Sequence, residues 1–102
     1  SDAAQETLLD ILCNFPGNEK TYQLTMERFL REEEHVALFA SLLGKLGDER
    51  AIPALLDAMQ NREINYLDYI EVRNAIEALG GDAPEERDFT GDPYYESLSR
   101  ME

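Results

Sequence analysis

Residues 43–59, with the sequence LGKLGDERAIPALLDAM, decide the fold of this chain. Gly47 lies between two apolar stretches, where a glycine ends a helix in the left-handed conformation, and Asp48 is a residue type that caps the start of the next helix. Glu49 then faces the positive end of that helix from within its first turn. The stretch therefore predicts two helices joined by a tight, capped turn, which together form a helical hairpin.

The turn at Gly47 is repeated along the chain. Residues 17–24, with the sequence GNEKTYQL, match the start of residues 47–55 by residue class at an offset of 30 residues, and a degraded copy begins at Gly81, 34 residues after Gly47. A period of this length, built from two helices and a capped turn, is typical of an α-solenoid. In that architecture each hairpin buries its apolar face by stacking on the next hairpin.

Apolar residues recur at spacings of three and four through five segments, which is the pattern of amphipathic α-helices. The stripes of the first three helices are Leu8, Leu9, Ile11, Leu12 and Phe15; Tyr22, Met26, Phe29 and Leu30; and Val36, Phe39, Leu43 and Leu46. The stripes of the fourth and fifth helices are Ile52, Leu55, Leu56 and Met59; and Tyr66, Tyr69, Val72, Ile76 and Leu79. No alternating polar and apolar run is present, so the sequence predicts an all-α fold.

The sequence also predicts how individual helices begin, end and pack. Asp48 is expected to cap the fourth helix, and Asp68 and Glu71 have the spacing of a capping box in the fifth. Gly80 is expected to end the fifth helix in the left-handed conformation. Gly44 lies inside the third helix, which implies either close packing against another helix or early fraying.

The turn and the helix after it resemble a known family. Residues 43–59, with their leucine-glycine pair and the Ala-aliphatic-Pro-x-Leu core at Ala51–Leu55, resemble the HEAT repeat, in particular the HEAT-like repeat of phycobilin (PBS) lyases. Residues 72–80 resemble the second helix of that repeat. The resemblance implies an α-α superhelix, that is, a short HEAT-like solenoid of about five to six helices in two to three stacked antiparallel hairpins.

The repeat divides the chain into four segments of one domain, residues 1–102. Residues 1–16 are expected to form an N-terminal helix or cap, residues 17–46 the first hairpin, residues 47–80 the second hairpin, and residues 81–102 an acidic C-terminal cap. Phe89, Tyr94, Tyr95 and Leu98 can cover the exposed end of the last hairpin. The alternative interpretation of this last segment is a detachable peptide motif.

Charge and cysteine content exclude several classes of function. The chain has 9 basic and 22 acidic residues, a formal net charge of −13, so it lacks the Lys and Arg clusters that bind nucleic acid or an anionic membrane. No apolar run approaches the roughly 20 residues of a membrane span. Cys13 is the single cysteine, which excludes an intrachain disulfide and favours a cytoplasmic protein.

Catalytic and metal-binding chemistry has little support. Glu32 and His35 have the spacing of a di-iron helical bundle, but that site needs a second pair and the chain has one histidine. Cys13 has the position of a small buried residue. The acidic stretch from Asp82 to Asp92 lacks the order of a calcium loop. We therefore expect no catalytic site, no metal and no cofactor, and a chain that is not an enzyme.

The predicted function is protein–protein interaction. In a solenoid the second helix of each hairpin lines the concave surface, which here presents Glu34, Ser41, Lys45, Glu71, Asn74 and Glu77. This surface is more acidic than basic, which suits a basic protein or peptide partner. The possible aromatic anchors are Tyr66, Tyr69, Tyr94 and Tyr95.

Three alternatives to this function stay open. The acidic residues can serve solubility alone. The resemblance to lyase repeats allows an accessory role in bilin attachment, although a shared fold does not fix a function. The ends of a short solenoid also allow self-association, with a homodimer as its simplest product.

Overall fold

The computed structural model of the chain describes residues 2–31, 34–84 and 87–100, which form six α-helices and no strand. The helices are α1 (Asp2–Leu12), α2 (Glu19–Arg31), α3 (Val36–Leu46), α4 (Ile52–Met59), α5 (Tyr66–Ala78) and α6 (Pro93–Arg100). A 3₁₀ turn, Glu49–Ala51, leads into α4. The predicted all-α class is confirmed.

The helices are arranged as stacked hairpins. α2 packs against α3 and α4 packs against α5, and the most extensive contact between any two helices joins α3 to α5. Asp68 meets Ala37 near the start of α3, and Ala75 meets Gly44 near its end. α3 and α5 therefore run in the same direction, as equivalent helices of successive repeats do.

The turns at Gly17 and Gly47 form as predicted, with one change at Asp48, whereas the degraded copy at Gly81 does not, because no helix begins at residues 81–84. Asn18 accepts a hydrogen bond from the backbone N–H of Thr21 at 3.1 Å and so caps α2. Gly47 takes the left-handed conformation with φ of 69°. Asp48 accepts the N–H of Arg50 at 3.0 Å and caps the 3₁₀ turn, not α4 itself. Since Pro53 cannot donate a backbone hydrogen bond, its position in the first turn of α4 breaks no bond within the helix.

The start of α5 differs from the prediction. Its cap is Asn65, whose Oδ1 accepts the N–H of Asp68 at 2.8 Å, so the predicted Asp68 and Glu71 capping box is wrong. The Asp68 carboxylate instead accepts the backbone N–H of Ala37 and thereby caps α3 from the neighbouring hairpin. The predicted exit is confirmed, because Gly80 has φ of 86° and the N–H of Gly81 reaches the Ile76 carbonyl at 2.9 Å.

The core is centred on α3. The buried residues of this helix are Phe39, Ala40, Leu42, Leu43 and Leu46. Gly44 stays helical, and a Cβ at this position would lie 3.3 Å from the Cα of Ala75 in α5. Of the two explanations for Gly44, close packing is therefore confirmed. The glycine brings the backbones of α3 and α5 together.

The apolar stripe of α1 is only partly buried. Leu9 is fully buried and Leu12 is half-buried, whereas Leu8, Ile11 and Phe15 are 52%, 54% and 68% exposed. Leu8, Leu9, Ile11 and Leu12 lie on α1 as predicted, whereas Phe15 lies in the turn after this helix. No other described element covers this side of α1.

The C-terminal segment returns to the start of α5. Phe89 is buried, with its ring centroid 5.0 Å from that of Tyr66 and 4.8 Å from that of Tyr69. Tyr95 meets the edge of Tyr66 at 4.9 Å. Asp92 accepts the N–H of Tyr66 at 2.9 Å, so aromatic packing and a hydrogen bond both hold this segment against the second hairpin.

Candidate interaction surfaces

The first candidate is the set of six residues proposed from sequence, which we call the α3/α5 face: Glu34, Ser41, Lys45, Glu71, Asn74 and Glu77. Ser41 and Lys45 are exposed on α3, and Asn74 and Glu77 are exposed on α5. Glu71 is half-buried on α5, and Glu34 is exposed just before α3 begins. The packing of α3 on α5 therefore brings most of these side chains to solvent on two adjacent helices.

The charge of the α3/α5 face depends on an ion pair with α1. The Nζ of Lys45, the single lysine of the face, lies 3.7 Å from the Oδ1 of Asp10. Since both side chains are largely exposed, this pair contributes little to stability. The pair matters more for the charge of the face, because Asp10 offsets the positive charge of Lys45 and leaves the negative charge of the three glutamates.

The tyrosines proposed as anchors belong to the core. Tyr66 is 8% exposed and Tyr69 is 2% exposed, because the C-terminal segment packs over both rings. The expectation that they present aromatic surface to a partner is therefore wrong. Tyr94 is 43% exposed and Tyr95 is half-buried, so Tyr94 is the more accessible of the remaining two.

The second candidate surface was not predicted from the sequence. It is a groove between two helices, which we call the α2/α4 groove. It has a volume of about 710 Å³ and lies between the C-terminal parts of α2 and α4, beside the α4–α5 connection. Its apolar lining consists of Phe29, Leu30, Val36, Ala54, Ala58 and Ile64, and its carboxylates are Asp57, Glu63 and Asp68. Leu30 is 68% exposed, so an apolar side chain stands open to solvent here.

Arg50 closes the opposite end of the gap between α2 and α4. Its guanidinium donates to Glu19 at the start of α2 and to Asp48 before the 3₁₀ turn, and it lies 4.3 Å from the ring centroid of Tyr22. Hydrogen bonds from Arg50 hold the pKa of both carboxyl groups below their ordinary values. The two helices are thus joined at their N-terminal ends and separated by the groove at the other.

Asp68 is the most enclosed carboxylate of the groove. Burial raises its pKa above the ordinary value of 3.8, although hydrogen bonds from Asn65 and the backbone of Ala37 act in the opposite direction. Desolvation of the charged form outweighs those bonds. The groove therefore contains a carboxylate whose negative charge is poorly solvated.

The side chains considered for catalysis lie apart. Cys13 is fully buried with its Sγ 3.5 Å from the Oγ1 of Thr25, and burial raises the pKa of its thiol. His35 is exposed, with Nδ1 3.9 Å from the Oε1 of Glu6. Glu32, the partner considered for His35, lies outside the described residues, as do Glu85 and Glu86 of the acidic segment.

The described residues contain neither a metal-ligand cluster nor a membrane-spanning helix. Among residues 2–31, 34–84 and 87–100, no three His, Cys, Asp or Glu side chains are grouped so that they could hold a metal ion. Within the same ranges, no helix has the length and apolar character needed to cross a membrane.

Comparison with known families confirms the sequence resemblance over part of the chain. Residues 39–61 match the family described as the PBS lyase HEAT-like repeat. The match runs from within α3, through the Gly47 turn and α4, to the residues after α4, so it covers one partial repeat. No curated protein and no solved structure matches the chain. HEAT-like repeats serve as protein-interaction or scaffold units and occur in bilin lyases.

Proposed function

We propose that this chain is a non-catalytic protein-interaction module that binds a basic protein or peptide through the α3/α5 face. The observation that carries the proposal is the arrangement of Glu71, Asn74 and Glu77 beside Ser41 on two helices that run in the same direction. Solenoids bind extended partners along such rows of equivalent helices. The family match at residues 39–61 supports the same class of function.

The charge of the chain supports a basic partner. The net charge of −13 attracts a positively charged protein over long distances, and the carboxylates of the α3/α5 face then orient it at close range. Lys45 offers little repulsion because Asp10 is its partner. Association is therefore expected to be fast at low ionic strength and to weaken as salt is added.

Charge reversal tests this proposal. Glu71→Lys combined with Glu77→Lys replaces two negative charges of the face by two positive ones, and we expect it to weaken binding of a lysine-rich peptide about tenfold, measured by fluorescence anisotropy. Glu27→Lys combined with Glu49→Lys is the matched control, because it changes the net charge equally at exposed positions on α2 and the 3₁₀ turn. Equal weakening by both pairs would contradict a specific face and leave only bulk charge.

Self-association is a second candidate function, favoured by the exposed apolar residues of α1. Leu8 and Ile11 on α1 and Phe15 in the turn after it form a row of exposed apolar side chains. A second copy placing its own row against this one would bury both, which is the symmetric contact of a homodimer. Sedimentation velocity should then show a dimer that Ile11→Asp converts to a monomer, with Gln23→Asp, at an exposed position on α2, as the control of equal charge change.

A bilin-related accessory role rests on the matched repeat alone. The same helical repeat carries unrelated functions, so the match does not specify chromophore chemistry. The test is direct: a bilin that binds should change its visible absorption spectrum on mixing with the protein. An unchanged spectrum at excess protein would remove this alternative.

A further inference from the structure

The α2/α4 groove exposes apolar side chains next to acidic ones. Leu30 is 68% exposed although it adjoins Phe29, a core residue, and Ala58 and Ile64 line the groove opposite. Exposing a large apolar side chain beside other apolar groups leaves surface whose burial is favourable. The volume of about 710 Å³ is enough for several side chains of a partner.

The charged residues that line this groove within the described chain are all acidic, and the nearby Arg87 guanidinium is bonded to the backbone carbonyl of Asn61. Asp57, Glu63 and Asp68 line the groove, and no Lys or Arg is among its described lining residues. The raised pKa of Asp68 marks a carboxylate for which an approaching cation would restore lost solvation. A partner must therefore offer apolar side chains and positive charge together.

We propose that the α2/α4 groove is a docking site for an amphipathic segment of a partner protein, with apolar side chains that insert beside Leu30 and flanking Lys or Arg that pair with Asp57 and Glu63. An amphipathic helix fits this pattern, because its apolar stripe is bordered by polar positions at a spacing of three and four residues. The site is separate from the α3/α5 face, since none of the six residues of that face lines the groove. It therefore goes beyond the proposed function.

Charge argues against two other occupants. A second copy carries a net charge of −13, so it would bring further carboxylates to an acidic groove. A nucleic acid would bring phosphates to the same acidic rim. A basic segment of a different protein is the occupant that the groove favours.

The test uses a labelled helical peptide of about 18 residues with Leu at i, i+3, i+4 and i+7 and Lys elsewhere. Two companion peptides separate the contributions: one replaces Leu by Ser and keeps the charge, and one replaces Lys by Glu and keeps the apolar stripe. We expect the Leu/Lys peptide to bind at least about tenfold more tightly than either companion. Equal binding of the Leu/Lys and Ser/Lys peptides would overturn the proposal, because charge alone would then explain it.

Variants of the protein locate the site. Leu30→Ser and, separately, Asp57→Asn combined with Glu63→Gln should each weaken Leu/Lys peptide binding by about tenfold. Glu27→Gln combined with Glu49→Gln is the matched control, because it removes the same charge from exposed positions outside the groove. These substitutions are at exposed positions, and an unchanged circular dichroism melt verifies that the fold is kept.

Two further measurements complete the test. Peptide titration followed by NMR should shift the amide resonances of Ala58 and Ile64. Shifts confined to the amides of Asn74 and Glu77 would overturn the groove as the docking site and support the α3/α5 face. Sedimentation velocity without peptide should show no dimer that Leu30→Ser removes. Such a dimer would mean that a second copy occupies the groove and would overturn the proposal.

Discussion

Asp92 accepts hydrogen bonds from the first residues of two helices. Its Oδ1 accepts the N–H groups of Tyr94 and Tyr95 at the start of α6, at 3.0 and 3.1 Å, and its Oδ2 accepts the N–H of Tyr66 at the start of α5, at 2.9 Å. These donors, that of Tyr66 first, hold the pKa of the carboxyl group below its ordinary value of 3.8. One side chain therefore caps α6 and ties the C-terminal segment to the second hairpin.

Removal of this carboxylate is expected to destabilise the protein. Asp92→Ala should lower the free energy of unfolding by about 1–2 kcal/mol at neutral pH, measured by urea denaturation. Asp92→Asn is the control, because its amide oxygen can still accept at α6. A loss as large for Asp92→Asn as for Asp92→Ala would show that the charge, not the cap, is decisive.

The same residue gives a pH dependence of defined sign. Because the pKa of Asp92 is lower in the folded state than its ordinary value of 3.8, its contribution is fully present above that value and is lost as pH falls through the folded pKa. The stability difference between the wild-type protein and Asp92→Ala should be constant above about pH 5 and narrow below it. A difference that widens on acidification would contradict this assignment.

Caps made within one turn are predictable from sequence, and caps made from elsewhere are not. Asn18 and Gly80 act on their own helices and were identified from local sequence. Asp68 caps the helix of the preceding hairpin, and Asp92 bonds a residue 26 positions earlier. Those contacts depend on how hairpins stack, which a local pattern does not contain.

At the scale of elements, the contact between α3 and α5 depends on the absence of a side chain at Gly44. A Cβ there would already approach the Cα of Ala75 at 3.3 Å, and backbone in the middle of a helix cannot easily yield. Gly44→Val should therefore lower the free energy of unfolding by about 2 kcal/mol. Ser41→Val, at an exposed position on the same helix, should change the free energy of unfolding by less than about 0.5 kcal/mol, because Ser and Val have similar helix propensities. Chemical denaturation of both variants compares them directly.

The C-terminal segment is expected to contribute to stability through one ring. Phe89→Ala removes a buried ring that packs against Tyr66 and Tyr69, and it should lower the free energy of unfolding by about 3 kcal/mol. Tyr94→Ala, at a position 43% exposed, should cost less than about 1 kcal/mol. If thermal melts of the two variants coincide, the segment does not stabilise the second hairpin.

The helices were predictable from the sequence, but which of their faces are covered by other elements was not. Spacings of three and four identified which residues share a face of each helix, and the assignment to α-helices holds throughout the described chain. Periodicity does not say whether another element lies over that face. This is why Ile11 of α1 and Phe15 after it are exposed and why Tyr66, considered as an aromatic anchor, is buried. The α2/α4 groove was missed for the same reason, since it is a gap between two helices.

At the scale of the molecule, the net charge of −13 acts on a body with principal extents of 41 × 30 × 23 Å. At about 0.01 M salt the screening length of about 30 Å is comparable with these dimensions, so carboxylates on opposite sides repel one another. At about 0.15 M salt that length falls to about 8 Å and the repulsion is confined to neighbours. Folding concentrates these charges, so screening should favour the folded state.

Thermal unfolding at two salt concentrations tests this expectation. The melting temperature should rise by about 5 °C between low and physiological ionic strength. The Glu27→Lys and Glu49→Lys double variant, whose net charge is −9 because two charges of −1 become +1, should show a smaller rise. A fall in melting temperature with added salt would mean that ion pairs such as those of Arg50 outweigh the general repulsion.

The close approach at Gly44 also has a consequence for the shape of any longer array. On one side of the stack the α3 and α5 backbones nearly touch, while on the other side α2 and α4 are spaced by a bridging arginine and an open gap. Each step from one hairpin to the next is therefore a wedge, narrow at α3 and α5 and wide at α2 and α4. Wedges laid in series trace an arc, and the glycine sets which helices form its inner radius.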